Sequence, residues 1–242
     1  MLIAPQNSPV DSALAARLRA LQQEIAAATR ASNRSEDCVT LVAVCKGHTA
    51  EDVRAAARLG VRDFGESYLQ EALPKIEQLR DLPLRWHFIG RIQANKTRPI
   101  AAQFDWVHGI DRLAVAERLS AQRPHHAPPL QVCLQVNIER EPAKSGVDPA
   151  EIEALARAVA ALPRLRLRGL MCILPEGRGP EADRRSFAAL AALRASLNAG
   201  GLALDSLSMG MSGDFREAIL EGATLVRIGT ALFGPRQAQR LG

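Results

Sequence analysis

The chain alternates short apolar segments with amphipathic segments eight times, and this alternation limits the fold more than any other feature. The apolar segments are short, rich in β-branched and other aliphatic residues, and bounded by turn-forming or polar residues, which is typical of buried strands. The predicted strands are Val39–Cys45, Val61–Phe64, Arg85–Ile89, Trp106–Ile110, Leu130–Ile138, Leu165–Leu174, Ser206–Met209 and Thr224–Ile228.

A helix is predicted after each strand, and one more precedes the first. The predicted helices are Asp11–Thr29, Thr49–Gly60, Ser67–Leu79, Asn95–Gln103, Arg112–Gln122, Pro149–Ala161, Ala182–Asn198, Phe215–Glu221 and Ala231–Arg240. Eight strand–helix units in 242 residues predict an α/β fold, a single (β/α)8 TIM barrel with an extra N-terminal helix. The alternative, a doubly wound open sheet, needs a glycine-rich turn that Lys46-Gly47-His48 does not supply. We assign residues 1–10 to an N-terminal tail and residues 11–242 to the barrel domain.

The composition indicates an ordinary globular protein, with 47% hydrophobic and 24% charged residues. No window approaches the 18 or so apolar residues of a membrane span. The first ten residues have neither the basic start nor the apolar core of a secretory signal. We therefore expect a cytoplasmic protein that makes no membrane contact. The four cysteines form no C-x-x-C pair, which argues against a zinc site and a disulfide framework and indicates reduced, mostly buried thiols.

The net charge of +5 raises the question of nucleic-acid binding. The arginines are scattered over predicted helix faces, and aromatic residues make up only 4% of the chain, too few for stacking platforms between basic residues. We expect no nucleic-acid binding; a small anionic ligand fits the sign of the charge equally well. His125 and His126 have no partners at metal-ligand spacing, so we expect no metal site.

A single lysine ends the first predicted strand, Val39-Thr-Leu-Val-Ala-Val-Cys45. Because side chains alternate along a strand, Lys46 points to the same side as Val42 and Val44. Apolar surroundings disfavour the ammonium form, and a neutral amine can attack an aldehyde. We therefore expect Lys46 to form a Schiff base. From this segment alone, a lysine that reaches solvent or pairs with a carboxylate is the commoner outcome.

Two turns of small residues follow the last two predicted strands. The first is Ser208-Met-Gly-Met-Ser-Gly-Asp214, and the second is Arg227-Ile-Gly-Thr230. Small residues let backbone N–H groups approach an anion, and barrels of this kind often hold phosphate after strands seven and eight. The first strand closes against the eighth in such a barrel. An amine for an aldehyde beside a site for a phosphate predicts binding of pyridoxal 5′-phosphate.

Seven segments, taken in order over nearly the whole chain, resemble the pyridoxal phosphate homeostasis protein family. They are Ala43-Val-Cys-Lys46, Asp63-Phe-Gly-Glu-Ser-Tyr-Leu-Gln-Glu71, Trp86-His-Phe-Ile-Gly90, Gln93-Ala-Asn-Lys-Thr97, Lys144-Ser-Gly146, Leu207-Ser-Met-Gly-Met-Ser-Gly-Asp214 and Val226-Arg-Ile-Gly-Thr-Ala-Leu-Phe-Gly234. The resemblance implies an alanine-racemase-type barrel that binds pyridoxal phosphate, has no known enzymatic activity and acts in vitamin B6 balance.

The resemblance also implies roles for individual residues. Lys46 would form the Schiff base, and Arg227 would face the pyridine nitrogen. The phosphate would be held by Ser208, Ser212, Gly229 and Thr230. We expect a monomer whose ligand is the cofactor itself and which contacts pyridoxal-phosphate-dependent apo-enzymes transiently.

Two segments depart from the family pattern. Cys45-Lys46-Gly47 stands where Ser-Lys-Thr is usual, a change that lies mostly away from the ligand face. Gly65-Glu66-Ser67-Tyr68 stands where Gly-Glu-Asn-Tyr is usual, and because a shorter hydroxyl replaces an amide there, we leave Ser67 out of the site.

Two enzymatic alternatives remain. One is an amino-acid racemase or decarboxylase of the same fold that uses pyridoxal phosphate, and the other is a cofactor-free Schiff-base aldolase acting on a sugar phosphate. An arginine opposite the pyridine nitrogen keeps that nitrogen unprotonated and weakens the ring as an electron sink. The related racemases take a tyrosine from a separate β domain, for which this chain has no room, and its one tyrosine is Tyr68. We therefore favour a cofactor carrier. His87 is either a proton carrier at the barrel mouth or a structural residue, and the role of Lys144 stays open.

Overall fold

The computed structural model describes residues 9–141 and 145–235. Within them, eight parallel strands close into a barrel in sequence order, with the eighth strand paired to the first. The strands are β1 (Thr40–Val44), β2 (Asp63–Glu66), β3 (Arg85–Phe88), β4 (Trp106–Ile110), β5 (Leu130–Gln135), β6 (Leu165–Met171), β7 (Ser206–Ser208) and β8 (Leu225–Ile228). The predicted (β/α)8 barrel is confirmed.

Helices surround this barrel, and one of them precedes β1 as predicted. They are α1 (Pro9–Ala31), α2 (Ala50–Arg58), α3 (Leu69–Gln78), α4 (Thr97–Gln103), α5 (Leu113–Gln122), α6 (Ile152–Ala160), α7 (Pro180–Ala199), α8 (Phe215–Leu220) and α9 (Thr230–Phe233). Helix α1 packs on α8 and α9 through a buried apolar stripe that includes Leu14 and Leu18. It begins at Pro9, two residues inside the stretch that the sequence assigns to a tail.

Several element boundaries differ from the sequence prediction for local reasons. Val61 lies in the turn that closes α2 rather than in a strand, because its N–H donates to the carbonyl of Ala56, and β2 begins only at Asp63. Helix α6 begins at Ile152 rather than Pro149, because the Asp148 side chain accepts from the Ala150 N–H and holds a turn before it.

The predicted final helix, Ala231–Arg240, is wrong in its length. Helix α9 ends at Phe233, because Gly234 adopts φ = 88°, a left-handed conformation that terminates helices. The remainder of that prediction, residues 236–240, lies outside the described residues. Arg17 of α1 donates to the carbonyls of Leu232 and Phe233 at 2.7 and 3.3 Å, which satisfies acceptors that the short helix leaves open.

Two layers of side chains fill the molecule. The outer faces of the strands and the inner faces of the helices form the main apolar core, which includes Phe64, Leu134 and Val226. The inner face of the barrel is different, because it combines apolar residues such as Val42 with a line of buried polar groups. That line runs from Asp63, at the N-terminal end of β2, to Arg227 on β8. Arg227 lines a cavity at the carboxyl ends of the strands.

No helix in residues 9–141 and 145–235 is long and apolar enough to cross a membrane. All four cysteines lie in this part of the chain as free thiols, and Cys45, Cys133 and Cys172 are buried. Burial raises the pKa of Cys133 and of Cys172 to about 12, so both are protonated at neutral pH. The prediction of reduced, mostly buried thiols is consistent with this arrangement.

Candidate functional site

A cavity of about 510 Å³ lies at the carboxyl end of the barrel. Its volume is in the range of sites that hold small ligands. Five of the six predicted site residues line it, namely Lys46, Ser212, Arg227, Gly229 and Thr230. The sixth, Ser208, lies elsewhere in the barrel.

Lys46 follows β1 directly and is partly buried at the cavity wall. The backbone on both sides of it is fixed by side chains of α3. Lys75 Nζ donates to the carbonyl of Cys45 at 2.8 Å, and the Gly47 N–H donates to Glu71 Oε2 at 2.7 Å. Gly47 has φ = 75°, which allows the sharp turn that follows. The lysine therefore projects from a backbone that is held on both sides.

The turns after β7 and β8 form one continuous surface at the cavity, which we call the cup and define as residues 211–214 and 229–231. The Ala231 N–H donates to Ser212 Oγ at 3.4 Å and joins the two turns. Asp214 Oδ1 accepts from the Met211 N–H at 2.5 Å and fixes the first turn. A side chain at Gly229 would place a Cβ 3.1 Å from the carbonyl oxygen of Val44, so glycine allows the second turn to lie close to β1.

Arg227 brings a cation to the cavity from the inner face of β8. Only 4% of the residue is exposed, and burial lowers the pKa of its guanidinium. Its Nη1 donates to Ser208 Oγ at 2.6 Å, and its Nη2 donates to the carbonyl of Cys172 at 2.9 Å. Two acceptors thus fix the plane of the guanidinium.

Ser208 does not line the cavity, although the sequence assigns it to the phosphate site. It ends β7 with its side chain on the inner face and is fully buried against Arg227 and His108. Gly210, with φ = 95°, turns the chain only afterwards, so the cup begins beyond Ser208. The segment from Ser208 to Asp214 is one motif in the sequence, but in the structure Ser208 lies inside the barrel and residues 211–214 line the cavity.

His87 lies inside the barrel rather than at its mouth. Its Nε2 is 3.0 Å from Asp63 Oδ1, and its Nδ1 is 2.9 Å from His108 Nε2. Burial lowers the pKa of His87 against the opposing effect of Asp63. Of the two predicted roles, these contacts favour a hydrogen-bonded structural residue over a proton carrier at the barrel mouth.

The cavity also contains residues that the sequence analysis left out. Ser67, set aside because a serine replaces the usual asparagine, lines the cavity after β2, and its position in the motif was sufficient to include it. Asp183 and Asp214 also line the cavity, and burial raises the pKa of both carboxyls. No sequence signal distinguished Asp183 from surface residues, whereas Asp214 ends the turn that begins at Ser208 and could have been included on that ground. Lys144 lies outside the described residues.

The side chains on the cavity wall fit a phosphate ester that carries a carbonyl group. Lys46 supplies an amine, Arg227 a fixed cation, and the cup supplies two hydroxyls and small residues beside backbone N–H groups. Because β1 and β8 are paired, the amine and the cup face the same space. The donor set therefore matches the three functional parts of pyridoxal phosphate, which are an aldehyde, a ring nitrogen and a phosphate.

Comparisons with known proteins show the family of this chain. Residues 16–237 match the family described as alanine racemase, N-terminal domain. A pyridoxal phosphate homeostasis protein of Pseudomonas aeruginosa is 56% identical over 226 residues, which cover 93% of this chain and 96% of the relative. Its counterpart in Escherichia coli K12 is 46% identical over 230 residues, with 92% and 97% covered.

A solved structure gives the same result. PipY of Synechococcus elongatus, with pyridoxal phosphate bound, has a TM-score of 0.81 and 38% identity, covering 91% of this chain and 100% of that one. The fold, the motifs and these similarities lead to one conclusion. The chain belongs to the pyridoxal phosphate homeostasis protein family, within the family of alanine racemase N-terminal domains.

Proposed function

We propose that this protein binds pyridoxal phosphate and serves vitamin B6 balance in the cell without turning over a substrate. The observation that carries the proposal is that Lys46, Arg227 and the cup line one cavity. The names of the relatives and the cofactor bound to PipY support it. When bound, the cofactor supplies an aldehyde that a lysine amine can hold reversibly.

Each residue has a proposed part in holding the ligand. Lys46 holds the aldehyde carbon as a Schiff base. Ser212, Gly229 and Thr230 bind the phosphate through hydroxyls and backbone N–H groups. Arg227 faces the pyridine nitrogen and, as a donor with a fixed positive charge, keeps it unprotonated.

A carrier fits these residues better than a racemase does. An unprotonated ring nitrogen makes carbanion chemistry less favourable. The single tyrosine, Tyr68, is 56% exposed beside α3 and is not among the residues that line the cavity. A two-base racemisation needs an acid or base opposite the lysine, a role that a tyrosine takes in the related racemases. No tyrosine is among the described residues that line the cavity; carboxyl groups do line it, at Asp183 and Asp214, and the deuterium measurement below tests whether either acts as a base.

We further propose that the protein acts in the cytoplasm as a monomer and passes the cofactor to apo-enzymes through transient contacts. Protonated thiols at Cys133 and Cys172 are compatible with a reducing compartment.

The test is borohydride reduction of the protein incubated with pyridoxal phosphate, followed by peptide mapping. We expect a visible absorbance that borohydride removes, with the cofactor fixed to the peptide that contains Lys46. Lys46→Ala loses the label, whereas Lys96→Arg, at a partly buried lysine that is not among the lining residues, keeps it. A label on another residue, or no absorbance at all, contradicts the proposal.

A second measurement separates a carrier from a racemase. The loaded protein is incubated in deuterated water with free amino acids. A carrier leaves the deuterium content at Cα at the level given by free cofactor. Incorporation that depends on Lys46 supports the racemase.

A further inference from the structure

Hydrogen bonds cross the barrel interior in a continuous line from Arg227 to Asp63. Arg227 Nη1 is 2.6 Å from Ser208 Oγ, and Ser208 Oγ is 2.6 Å from His108 Nδ1. His108 Nε2 is 2.9 Å from His87 Nδ1, and His87 Nε2 is 3.0 Å from Asp63 Oδ1. We call these five residues the relay. All of its members are buried, with exposures of 0 to 6%.

The two ends of the relay have fixed hydrogen-bonding roles. A guanidinium only donates, so Arg227 donates to Ser208 Oγ. Burial favours the neutral form of Asp63, but hydrogen bonds from His87 and Arg85 outweigh it and lower the pKa of the carboxyl. Asp63 is therefore a carboxylate and only accepts.

The fixed ends determine the direction of every bond between them. Burial lowers the pKa of His87 and of His108, so each ring is neutral and has one N–H. His87 donates from Nε2 to Asp63, which leaves its Nδ1 as an acceptor. His108 then donates from Nε2 and accepts at Nδ1 from the Ser208 hydroxyl. Each group in the interior accepts on the side of Arg227 and donates on the side of Asp63.

We propose that Ser208, His108 and His87 are positioning residues that hold the Arg227 guanidinium in place at the cavity. The acceptor ends of their dipoles all point toward Arg227, and the carboxylate of Asp63 orients the line from its other end. Hydrogen bonds aligned in this way polarise one another and stabilise a cation whose direct acceptors are a hydroxyl and a carbonyl. The contact of Arg227 with the cofactor ring rests on the proposed function; the relay itself does not.

The first test needs no cofactor. Nitrogen NMR of the cofactor-free protein with 15N-labelled histidine reports the protonation of each ring nitrogen. We expect His87 and His108 to be neutral with the proton on Nε2. Ser208→Ala shifts the Nδ1 signal of His108, because that nitrogen loses its donor. The matched control is Ser206→Ala, a buried serine on the same strand and the same face whose hydroxyl donates to Asp205; it leaves the signal unchanged.

A proton on Nδ1 of either histidine, or a charged ring, overturns the relay. This measurement uses the unaltered protein, so it decides the matter even where Ser208→Ala does not fold. It is also independent of whether the protein binds pyridoxal phosphate.

The second test separates positioning from direct phosphate binding by Ser208. Affinities are measured for pyridoxal phosphate and for pyridoxal, which lacks the phosphate. We expect Ser208→Ala to weaken both by a similar factor of about ten or more, since Arg227 loses a hydrogen bond to a charged group. The absorbance of the bound cofactor shifts as well. Ser208→Thr, which keeps the hydroxyl, restores both values, and Ser206→Ala changes neither.

A loss confined to pyridoxal phosphate makes Ser208 a phosphate ligand and overturns the proposal. Unchanged affinities and absorbance in Ser208→Ala overturn it too. Failure of the unaltered protein to bind either compound counts against the proposed function alone, because the NMR result still stands for the relay.

Discussion

Lys75 Nζ lies 2.6 Å from Glu66 Oε1 and forms an ion pair in which both side chains are almost fully buried. The same ammonium donates to the carbonyl of Cys45, the residue that precedes Lys46. The Cys45 thiol lies 3.3 Å from Glu66 Oε1. Helix α3, strand β2 and the end of β1 are thus joined by one buried charge cluster behind the cavity wall.

Loss of Lys75 will destabilise the protein strongly. Lys75→Met leaves the Glu66 carboxyl buried without its partner, and breaking a buried pair in this way costs about 3–5 kcal/mol. Urea denaturation measures the change. The control is Arg80→Met, which removes an exposed pair with Glu77 and has little effect.

The double variant Lys75→Met/Glu66→Leu tests the cause of that loss. It recovers most of the stability, because no buried charge is left unpaired. A double variant that is as unstable as Lys75→Met contradicts the electrostatic explanation and points to packing.

Acid will destabilise the fold through the buried histidines. Burial lowers the pKa of His87 and His108 below 6.5. The unfolded chain therefore binds more protons at these two residues than the folded chain does as the pH falls. The unfolding free energy is highest above pH 6.5 and falls as the pH decreases toward the folded-state pKa values. The expected slope is about 1.4 kcal/mol per pH unit for each histidine. The contribution of Asp63, whose pKa is lowered from 3.8, is lost only at lower pH.

Denaturation curves at several pH values between about 7 and 5 measure this slope. His108→Asn removes one titrating group and reduces the slope by about half. His126→Gln, in the exposed loop before β5, leaves it unchanged. A slope that His108→Asn leaves unchanged contradicts the assignment of a neutral His108, because the other titrating groups are the same in both proteins.

An added methyl group at Gly169 will separate two barrel strands. A Cβ there would lie 1.8 Å from the backbone oxygen of Ser206 on β7. Because neither backbone can move without losing ladder hydrogen bonds, we expect Gly169→Ala to lower the unfolding free energy by more than about 3 kcal/mol. The control is Gly213→Ala, where nothing lies within 4 Å of the added Cβ, and its denaturation midpoint stays near that of the parent.

Thr230→Val will weaken the binding of the phosphate group selectively. The substitution keeps the shape of the side chain but removes the hydroxyl of a residue that lines the cavity, and a hydrogen bond to a charged group contributes about 1.5–3 kcal/mol. Titration calorimetry should show weaker binding of pyridoxal phosphate by about tenfold or more and no change for pyridoxal. Thr40→Val, at the other end of the barrel, serves as control. Equal losses for both ligands would argue against a phosphate contact at Thr230.

The barrel and much of its site follow from sequence because they depend on local patterns. The alternation of strand and helix gives the fold, and the position of Lys46 after β1 gives its side of the sheet. The turns around Ser212 and Thr230 are recognisable by their small residues. These features need no knowledge of which residues meet across the barrel.

Other features depend on contacts between distant segments. His87 and His108 meet because of the register of β3 and β4, in which His87 is aligned with Trp106, two residues before His108. A sequence pattern does not fix that register. Ser208 shows the same limit, since strand alternation puts it on the inner face beside Ser206, whereas its place in a glycine-rich motif predicts that it belongs to the cup.

Pairing of β1 with β8 puts the first strand beside the last. The proposed ligand-binding residues Lys46 and Thr230 follow these two strands, one on each. Lys46 and Thr230 are far apart in the chain, so no growing fragment that lacks β8 contains both halves of the site. Under the proposed function, binding of the ligand therefore reports that β8 has paired with β1 and closed the barrel. A compact chain in which β8 has not paired with β1 has the amine, but the turn that contains Thr230 is not yet held beside it.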